Sequence, residues 1–154
     1  MIMKIIDGEM HIEEIENLLK DYLAELGRDL SFQNVVAEFY DLRAKYLPPN
    51  GRLLCAQTDD GEIVGCVAYH KHNDQRCEMK RLYVKPECRK NNAGRLLVDE
   101  IISLARQDGY TEMVLDTIKP LQSAIRLYKK IGFTETEPYY DNPMNDVIYF
   151  RKQL

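Results

Sequence analysis

Apolar residues recur along the chain with two different periods, and these periods divide it into helices and strands. Spacings of three and four residues between Ile12 and Leu23 predict a first helix that ends at Gly27. Ser31 is a candidate N-cap for a second helix. The apolar face of that second helix holds Phe32, Val35, Val36 and Phe39.

Short apolar runs bounded by turn residues predict the strands. They lie at Met3–Ile6, Leu53–Gln57, Ile63–Tyr69, Glu78–Val84, Met113–Leu115, near Phe133, and at Val147–Arg151. The Asp60-Gly61 pair is typical of a hairpin turn, which would place Cys55 opposite Cys66. Two later helices are predicted, one ended by Gly109 and one from about Pro120 to Ile131. The order β-α-α-β-β-β-α-β-α-β-β indicates a mixed sheet covered by helices.

Length and composition add constraints on class and location. The 154 residues suit a single domain spanning 1–154, and 45% hydrophobic residues are ordinary for a globular protein. No apolar run approaches the roughly 18 residues of a membrane-spanning helix, and no secretory signal is visible, so we expect no membrane partner. Four cysteines without such a signal favour packed thiols in the reducing cytoplasm.

Charge is concentrated in one segment. The net charge of −4 argues against a nucleic-acid partner. Residues 80–95 nevertheless hold six basic side chains against one acid, which makes this segment +5 and the remainder −9. The segment contains a strand end, a polar loop and a helix start, and helix N-termini bind anions through unpaired N–H groups. It is either a phosphate-binding loop or a solvated basic loop that caps a helix.

Three sequence blocks resemble the GNAT N-acetyltransferase superfamily. The run Arg89-Lys90-Asn91-Asn92-Ala93-Gly94 is similar to its Q/R-x-x-G-x-G/A signature. Residues 77–86 resemble its central strand, and residues 124–133 resemble its late helix, A-x-x-L-Y-x-x-x-G-F. The resemblance implies an α/β fold with a mixed, mostly antiparallel sheet of about six to seven strands. About four helices would flank this sheet, which would splay between the fourth and fifth strands.

The resemblance also implies acetyl-CoA as co-substrate, without a metal. The loop residues implied to cradle its pyrophosphate are Arg89, Lys90, Asn91, Asn92, Ala93, Gly94 and Arg95. The backbone of Leu82, Tyr83 and Val84 would bind the pantetheine arm, and the N–H of Leu82 would face the developing oxyanion. Two residues depart from the family pattern. Asn92 replaces a usual Gly but tolerates a left-handed backbone, and Leu121 replaces a cofactor-contacting Asn.

Two side chains are candidates for the proton transfers that amine acetylation requires, since an amine must lose a proton and the thiolate must gain one. Glu78 stands where the family has a strand glutamate and is the candidate base. The alternative is an exposed strand residue paired with a lysine. Tyr128 is the candidate acid within the L-Y-x-x-x-G-F context. The alternative is a core aromatic, because Tyr128 shares an apolar stripe with Leu121, Ala124 and Ile131.

The acceptor site is predicted at two loops, those implied by the family resemblance. Its candidate residues are Arg28, Phe32, Tyr140 and Asp141, a set that suits an amino-acid-like molecule. The aromatic loop around Tyr140 could equally pack under the sheet end or form a homodimer contact. His70 and His72 share a strand face but lack an evident third ligand, so we expect no metal there and a position bordering the acceptor pocket instead.

The sequence therefore predicts a cytoplasmic acetyl-CoA-dependent N-acetyltransferase. It would act on the primary amine of a small molecule by direct transfer in a ternary complex. Two alternatives stay open: acetylation of a protein N-terminus or lysine, and a non-catalytic acyl-CoA-binding regulatory module. Retention of both Glu78 and Tyr128 argues against the second alternative.

Overall fold

A computed structural model describes residues 2–29, 38 and 41–154. Its seven strands are β1 (Met3–Asp7), β2 (Gly51–Thr58), β3 (Ile63–Lys71), β4 (Arg76–Val84), β5 (Glu112–Ile118), β6 (Thr134–Thr136) and β7 (Val147–Gln153). The α-helices in the described ranges are α1 (Ile12–Leu26), α2 (Leu42–Tyr46), α3 (Ala93–Gln107) and α4 (Gln122–Ile131). Short 3-10 helices span Glu9–His11 and Pro86–Asn91.

The strands form one sheet in the order β1-β2-β3-β4-β5-β7-β6. Every neighbouring pair is antiparallel except β4 and β5, which run parallel. Cys55 pairs with Cys66 across the hairpin of β2 and β3, which confirms the register predicted from the Asp60-Gly61 turn. The mixed, mostly antiparallel α/β class is therefore confirmed.

Helices cover both faces of the sheet because neighbouring strand residues point in opposite directions. On β2, Leu53 packs into a core with α1 and α2, whereas Leu54 packs into the core beneath α3 and α4. The second core includes Leu97 and Ile101, both fully buried. This two-sided arrangement gives the sheet no solvated face along its central strands.

The helices differ from the prediction mainly at their ends. The first boundary is as predicted: α1 runs to Leu26 and ends at Gly27, which has a left-handed φ of 61°. The last helix begins at Gln122 rather than Pro120. The predicted second helix beginning at Ser31 lies almost wholly outside the described residues. Its one described residue, Glu38, is helical, and the short helix α2 follows it.

Candidate active site

The two central parallel strands separate soon after they meet. β4 and β5 pair at Arg76–Glu112, Cys77–Met113 and Glu78–Val114, and no further pair joins them. Residues 79–84 of β4 and 115–118 of β5 then continue on opposite sides of a gap, here called the fork. The predicted splay between the fourth and fifth strands is thus confirmed, and it opens the sheet interior to ligands.

A β-bulge bends β4 at the fork. Arg81 has a left-handed φ of 63°, and the register with β3 shifts between Cys66 and Ala68 opposite it. The Arg81 guanidinium is buried and donates to Glu38, with Nε 2.7 Å from Oε2. Burial alone would raise the pKa of Glu38, but the hydrogen bond and charge of Arg81 lower it to about 2. The ion pair therefore holds a bulge that directs the next residue, Leu82, into the fork.

Two adjoining cavities meet at the fork. The larger, of about 590 Å³, extends between the end of α1, the residues from Arg89 to Arg95 and the start of α4. The smaller, of about 110 Å³, is walled by polar side chains that include Lys80, Asp116 and Tyr128. Leu82 and Leu121 line both cavities. Two cavities that meet at β4 suit two reactants, with the longer reactant in the larger cavity.

The predicted anion loop ends in the conformation expected of it. Asn92 has φ 64° and ψ 18°, which confirms that it adopts the left-handed backbone usually supplied by glycine. Helix α3 begins directly afterwards at Ala93 and runs for 15 residues. The start of this helix lies at the larger cavity, which Asn92, Gly94 and Arg95 line, so the partial positive charge of the helix N-terminus is close to that cavity.

Two of the three basic side chains of the loop, those of Arg89 and Arg95, form ion pairs within the protein. Arg89 donates through Nε to the carbonyl of Val84 at 2.9 Å, and its two terminal nitrogens lie 2.8 Å from the Glu25 carboxylate. Its guanidinium also lies 5.5 Å from the centre of the Tyr83 ring. Arg95 pairs with Asp99, and Lys90 is exposed. Arg89 thus ties α1 to the end of β4, a role that the sequence did not predict.

Tyr128 combines a packed ring with access to the smaller cavity. The ring packs edge-on against Phe133 and tilts against Phe150, with centroids 5.9 and 6.2 Å away. Among the described residues, none forms a hydrogen bond to its hydroxyl. Burial raises the pKa of Tyr128 above its ordinary value of 10, so the hydroxyl keeps its proton at neutral pH. Both interpretations of this residue, core aromatic and proton donor, therefore describe part of its environment.

Glu78 stands at the vertex of the fork, where β4 and β5 part. Its Oε1 lies 2.7 Å from Nε2 of His70, and its Oε2 accepts a hydrogen bond from the Tyr139 hydroxyl at 2.5 Å. Burial opposes ionisation of Glu78, yet the His70 hydrogen bond, the charge of Lys80 and the Tyr139 hydrogen bond lower its pKa to about 2. Glu78 does not line either cavity. A carboxylate held in this way is a weaker base than the prediction assumed, although it is not the exposed strand residue of the alternative.

A second carboxylate, not singled out from the sequence, faces the smaller cavity. Asp116 lies on β5 across the fork from Lys80 and accepts a hydrogen bond from the Tyr140 hydroxyl at 2.5 Å. Two adjacent tyrosines thus bind one carboxylate on each side of the fork: Tyr139 donates to Glu78 of β4, and Tyr140 donates to Asp116 of β5. The available sequence signal was an acid placed inside a buried apolar strand, twelve residues before Tyr128.

The predicted acceptor residues are only partly brought together. Arg28 lines both cavities, but its guanidinium forms two 2.7 Å hydrogen bonds with Asp146, so it is not the open carboxylate receptor that was expected. Tyr140 acts through Asp116 rather than on the cavity wall, and Asp141 is exposed outside it. The predicted contact from Phe32 lies outside the described residues.

The remaining polar candidates lie away from the cavities. His70 faces Glu78 across the β3–β4 ladder but lines neither of the two cavities, so it does not border the acceptor pocket directly as predicted. Within the described ranges, no group of three or more His, Cys, Asp or Glu side chains is arranged to hold a metal ion. The four cysteines are free, buried thiols. None of the helices in the described part of the chain has the length and apolar character needed to cross a bilayer.

A forked sheet beside a helix start that faces a cavity is the arrangement of acyltransferases, which transfer an acyl group from a coenzyme thioester to an acceptor and release the coenzyme as its thiol. The sequence model of the Acetyltransferase (GNAT) family matches residues 12–133. The chain belongs to this family, whose members use acetyl-CoA.

Similar proteins support this membership. An uncharacterized N-acetyltransferase of Schizosaccharomyces pombe is 47% identical over 144 residues, which cover 93% of this chain and 88% of that protein. A GNAT-family acetyltransferase of Staphylococcus aureus Mu50 has the same fold, with a TM-score of 0.82 at 21% identity over 99% of both chains. A GNAT-family acetyltransferase of Elizabethkingia anophelis, solved with acetyl-CoA bound, has a TM-score of 0.60 at 25% identity, covering 74% of this chain and 82% of that one.

Proposed function

We propose that this protein transfers an acetyl group from acetyl-CoA directly to the primary amine of a small molecule. The observation that carries the proposal is the meeting of the two cavities at Leu82. The larger one has the anion loop at its mouth, and the smaller one has a protonated tyrosine and a carboxylate on its walls. Two reactants held in these cavities would meet without a covalent enzyme intermediate.

The residues of the larger cavity fit acetyl-CoA. The N–H groups at the start of α3, together with the charges of Lys90 and Arg95, would hold the pyrophosphate. The backbone of residues 82–84 borders the same cavity and would hold the pantetheine arm. When bound, acetyl-CoA supplies the thioester carbonyl, and the N–H of Leu82 is the candidate donor to its oxygen as charge develops there.

Proton transfers would use side chains at the fork. Tyr128 would donate its proton to the departing thiolate, since its raised pKa keeps the hydroxyl protonated at neutral pH. Two carboxylates are candidates to accept the ammonium proton. Asp116 has the better geometry because it lines the smaller cavity, whereas Glu78 lies at the fork vertex and would act through water.

The small volume next to Tyr128 favours a small-molecule acceptor. A polypeptide acceptor would need an open groove, and the smaller cavity holds only about 110 Å³. The free buried thiols suit a reducing compartment such as the cytoplasm. The proposal is tested against two alternative functions, acetylation of a protein amine and a purely regulatory role without catalysis.

The test is release of coenzyme A thiol from acetyl-CoA in the presence of a panel of small amines and a panel of peptides. Thiol release with small amines, lost in Tyr128→Phe, supports the proposal. Release with peptides alone would assign a protein acceptor, and acetyl-CoA binding without release on either panel would assign a regulatory module.

Paired variants then distinguish the two candidate bases. If Asp116 accepts the proton, Asp116→Asn should lower turnover most near neutral pH, with a defect that shrinks as pH approaches the pKa of the amine. Glu78→Gln should then give a constant ratio to wild type across pH. The reverse pattern would assign Glu78 as the base.

A further inference from the structure

The connection between β6 and β7, residues 137–146, brings a short chain of hydrogen bonds to the smaller cavity. The backbone N–H of Met144 donates to Oδ1 of Asn142 at 2.9 Å, and Nδ2 of Asn142 donates to the Tyr140 hydroxyl at 2.7 Å. The Tyr140 hydroxyl donates in turn to Oδ2 of Asp116 at 2.5 Å. The chain therefore ends on the carboxylate that lines the smaller cavity.

The hydrogen bonds of this chain have a defined direction. A backbone N–H can only donate, so it holds the amide oxygen of Asn142 toward Met144 and turns the NH₂ group toward Tyr140. A hydroxyl has one hydrogen, and the Tyr140 oxygen already accepts from Asn142, so that hydrogen is directed to Asp116. Burial and the negative charge of Asp116 raise the pKa of Tyr140, which keeps the hydroxyl protonated and able to donate at neutral pH.

The connection that supplies this donor is held in place at several points. The rings of Tyr139, Tyr140 and Tyr149 contact one another, with centroids 5.3 to 5.8 Å apart. Arg28 holds the far end of the connection through two 2.7 Å hydrogen bonds to Asp146. A donor supported in this way keeps its position, so it can set the orientation of the carboxylate that it binds.

Glu78 is bound by the same kind of donor in a different place. The Tyr139 hydroxyl donates to Oε2 of Glu78, while Oε1 faces His70, and Glu78 lines neither cavity. One tyrosine of the pair thus binds a carboxylate at the fork vertex, and the other binds a carboxylate on the cavity wall. The two tyrosines form an internal comparison for what such a bond contributes to turnover.

We propose that Tyr140 and Asn142 are positioning residues for acetyl transfer, which act through Asp116 by holding its carboxylate in the orientation that meets the substrate amine. A base that is already oriented needs no rearrangement as the ammonium proton passes to it. The inference rests on the proposed acetyl transfer with Asp116 as the base, and it extends the site into the connection between β6 and β7.

The experiment measures turnover with one acceptor across a set of variants. The probes are the twenty amino acids, propylamine, benzylamine and putrescine, and the acceptor used is the one with the highest kcat/KM for the wild-type protein. If the wild-type protein acetylates only peptides, the best peptide takes its place, since the inference concerns the base and not the acceptor. Rates are expressed per folded molecule, with the folded fraction taken from circular dichroism.

Two variants break the chain at different links. Tyr140→Phe removes the donor to Asp116 and should lower kcat and kcat/KM together by about 10- to 100-fold, the effect of one charge-assisted hydrogen bond. Asn142→Asp still accepts from the Met144 N–H but no longer donates to Tyr140. It draws the hydroxyl hydrogen away from Asp116, so kcat should fall by at least about tenfold. The KM for acetyl-CoA should not change in either variant.

Tyr149→Phe is the matched control. It removes a hydroxyl from the same ring cluster, one that donates to the carbonyl of Tyr140 at 3.4 Å, and it keeps the ring. Tyr149 also lies directly opposite Asp116 in the β5–β7 ladder, so the control perturbs the same neighbourhood. Its turnover per folded molecule should equal that of the wild-type protein.

The Asp116→Asn background separates positioning from support of the fold. Once the carboxylate is absent, Tyr140→Phe and Asn142→Asp have nothing to orient, so neither should lower turnover further. The slow product formation in this background is followed by mass spectrometry of the acetylated acceptor over hours. A residue that only supports the connection would lower turnover by the same factor in both backgrounds. If Tyr140→Phe does not fold, Asn142→Asp carries the same comparison.

Each contrary result has a separate meaning. Wild-type turnover per folded molecule in Asn142→Asp, or an equal loss with and without the Asp116 carboxylate, overturns the positioning role and leaves acetyl transfer intact. A loss in Tyr139→Phe without one in Tyr140→Phe assigns the positioned carboxylate to Glu78 and also overturns it. Acetyl-CoA binding without turnover of any probe or peptide by the wild-type protein overturns the proposed function, and this inference with it.

Discussion

Glu78 should make a large, pH-dependent contribution to stability. Its pKa is about 2 in the folded protein, against an ordinary value of 4.5. A lowering of this size corresponds to about 3 kcal/mol in the free energy of unfolding, since each pKa unit is about 1.4 kcal/mol. The folded-state pKa is the lower one, so this stabilisation is complete above about pH 4.5. It is lost as pH falls from about 4.5 through 2, and both states are protonated only below the folded-state pKa.

The perturbation is Glu78→Gln, which keeps the shape of the side chain and removes its titration. We expect the difference in unfolding free energy between wild type and variant to shrink by about 3 kcal/mol between pH 6 and pH 2. Other carboxylates with lowered pKa values, such as Glu38, titrate in both proteins and cancel in this difference. Urea unfolding followed by far-ultraviolet circular dichroism gives the free energies, and the chain has no tryptophan to serve as a fluorescent probe.

The control is Glu100→Gln, which removes an exposed carboxylate on α3. A loss of the same size in this variant would mean that the change with pH is not specific to Glu78. A difference between wild type and Glu78→Gln that is constant from pH 6 to pH 2 would refute the reasoning. In that case, the contacts with His70 and Tyr139 would not favour the ionised carboxylate.

Three further predictions concern the site. Tyr128→Phe removes the candidate acid, so turnover should fall by about 10²- to 10⁴-fold, while Tm and acetyl-CoA affinity should not change because the ring keeps its contact with Phe133. Unchanged turnover per folded molecule would identify Tyr128 as a core aromatic. Glu25→Gln releases Arg89 for the phosphates, so titration calorimetry should show acetyl-CoA binding about two- to fivefold tighter. The gain is limited because an ion pair this exposed contributes at most about 1 kcal/mol. Weaker binding would mean that the Arg89–Glu25 pair supports the loop instead. Tyr140→Phe removes the donor to Asp116 and should lower the free energy of unfolding by about 1–3 kcal/mol in urea denaturation, whereas an unchanged value would show that water replaces the hydroxyl.

Local patterns in the sequence account for most of the fold. Hydrophobic periodicity located the seven strands seen in the described ranges, and a two-residue turn set the register of Cys55 against Cys66. The left-handed backbone of Asn92 followed from its side-chain chemistry within the loop. These features depend on residues close together in the chain, so a single sequence contains the information they require.

Contacts between distant residues explain what was not predicted. Arg28 and Asp146 are 118 positions apart, Arg89 and Glu25 are 64 apart, and Tyr139 and Glu78 are 61 apart. Arg28, Arg89 and Glu78 were each assigned an open role, because the distant partner that engages each of them had no local signature in the sequence. Lys80 and Asp116 were missed for the same reason, since only the fork brings their strands to one cavity.

The tandem tyrosines between β6 and β7 have a consequence for how specificity can diverge. Tyr139 and Tyr140 fasten the two arms of the fork from a connection that lies more than forty residues beyond the coenzyme loop. Exchanges at these two tyrosines would therefore alter the aperture between the two arms of the fork while leaving the loop from Arg89 to Arg95 in place. The acceptor side can thus vary through two adjacent positions, so a new acceptor specificity can arise there without a change in the residues of the coenzyme loop.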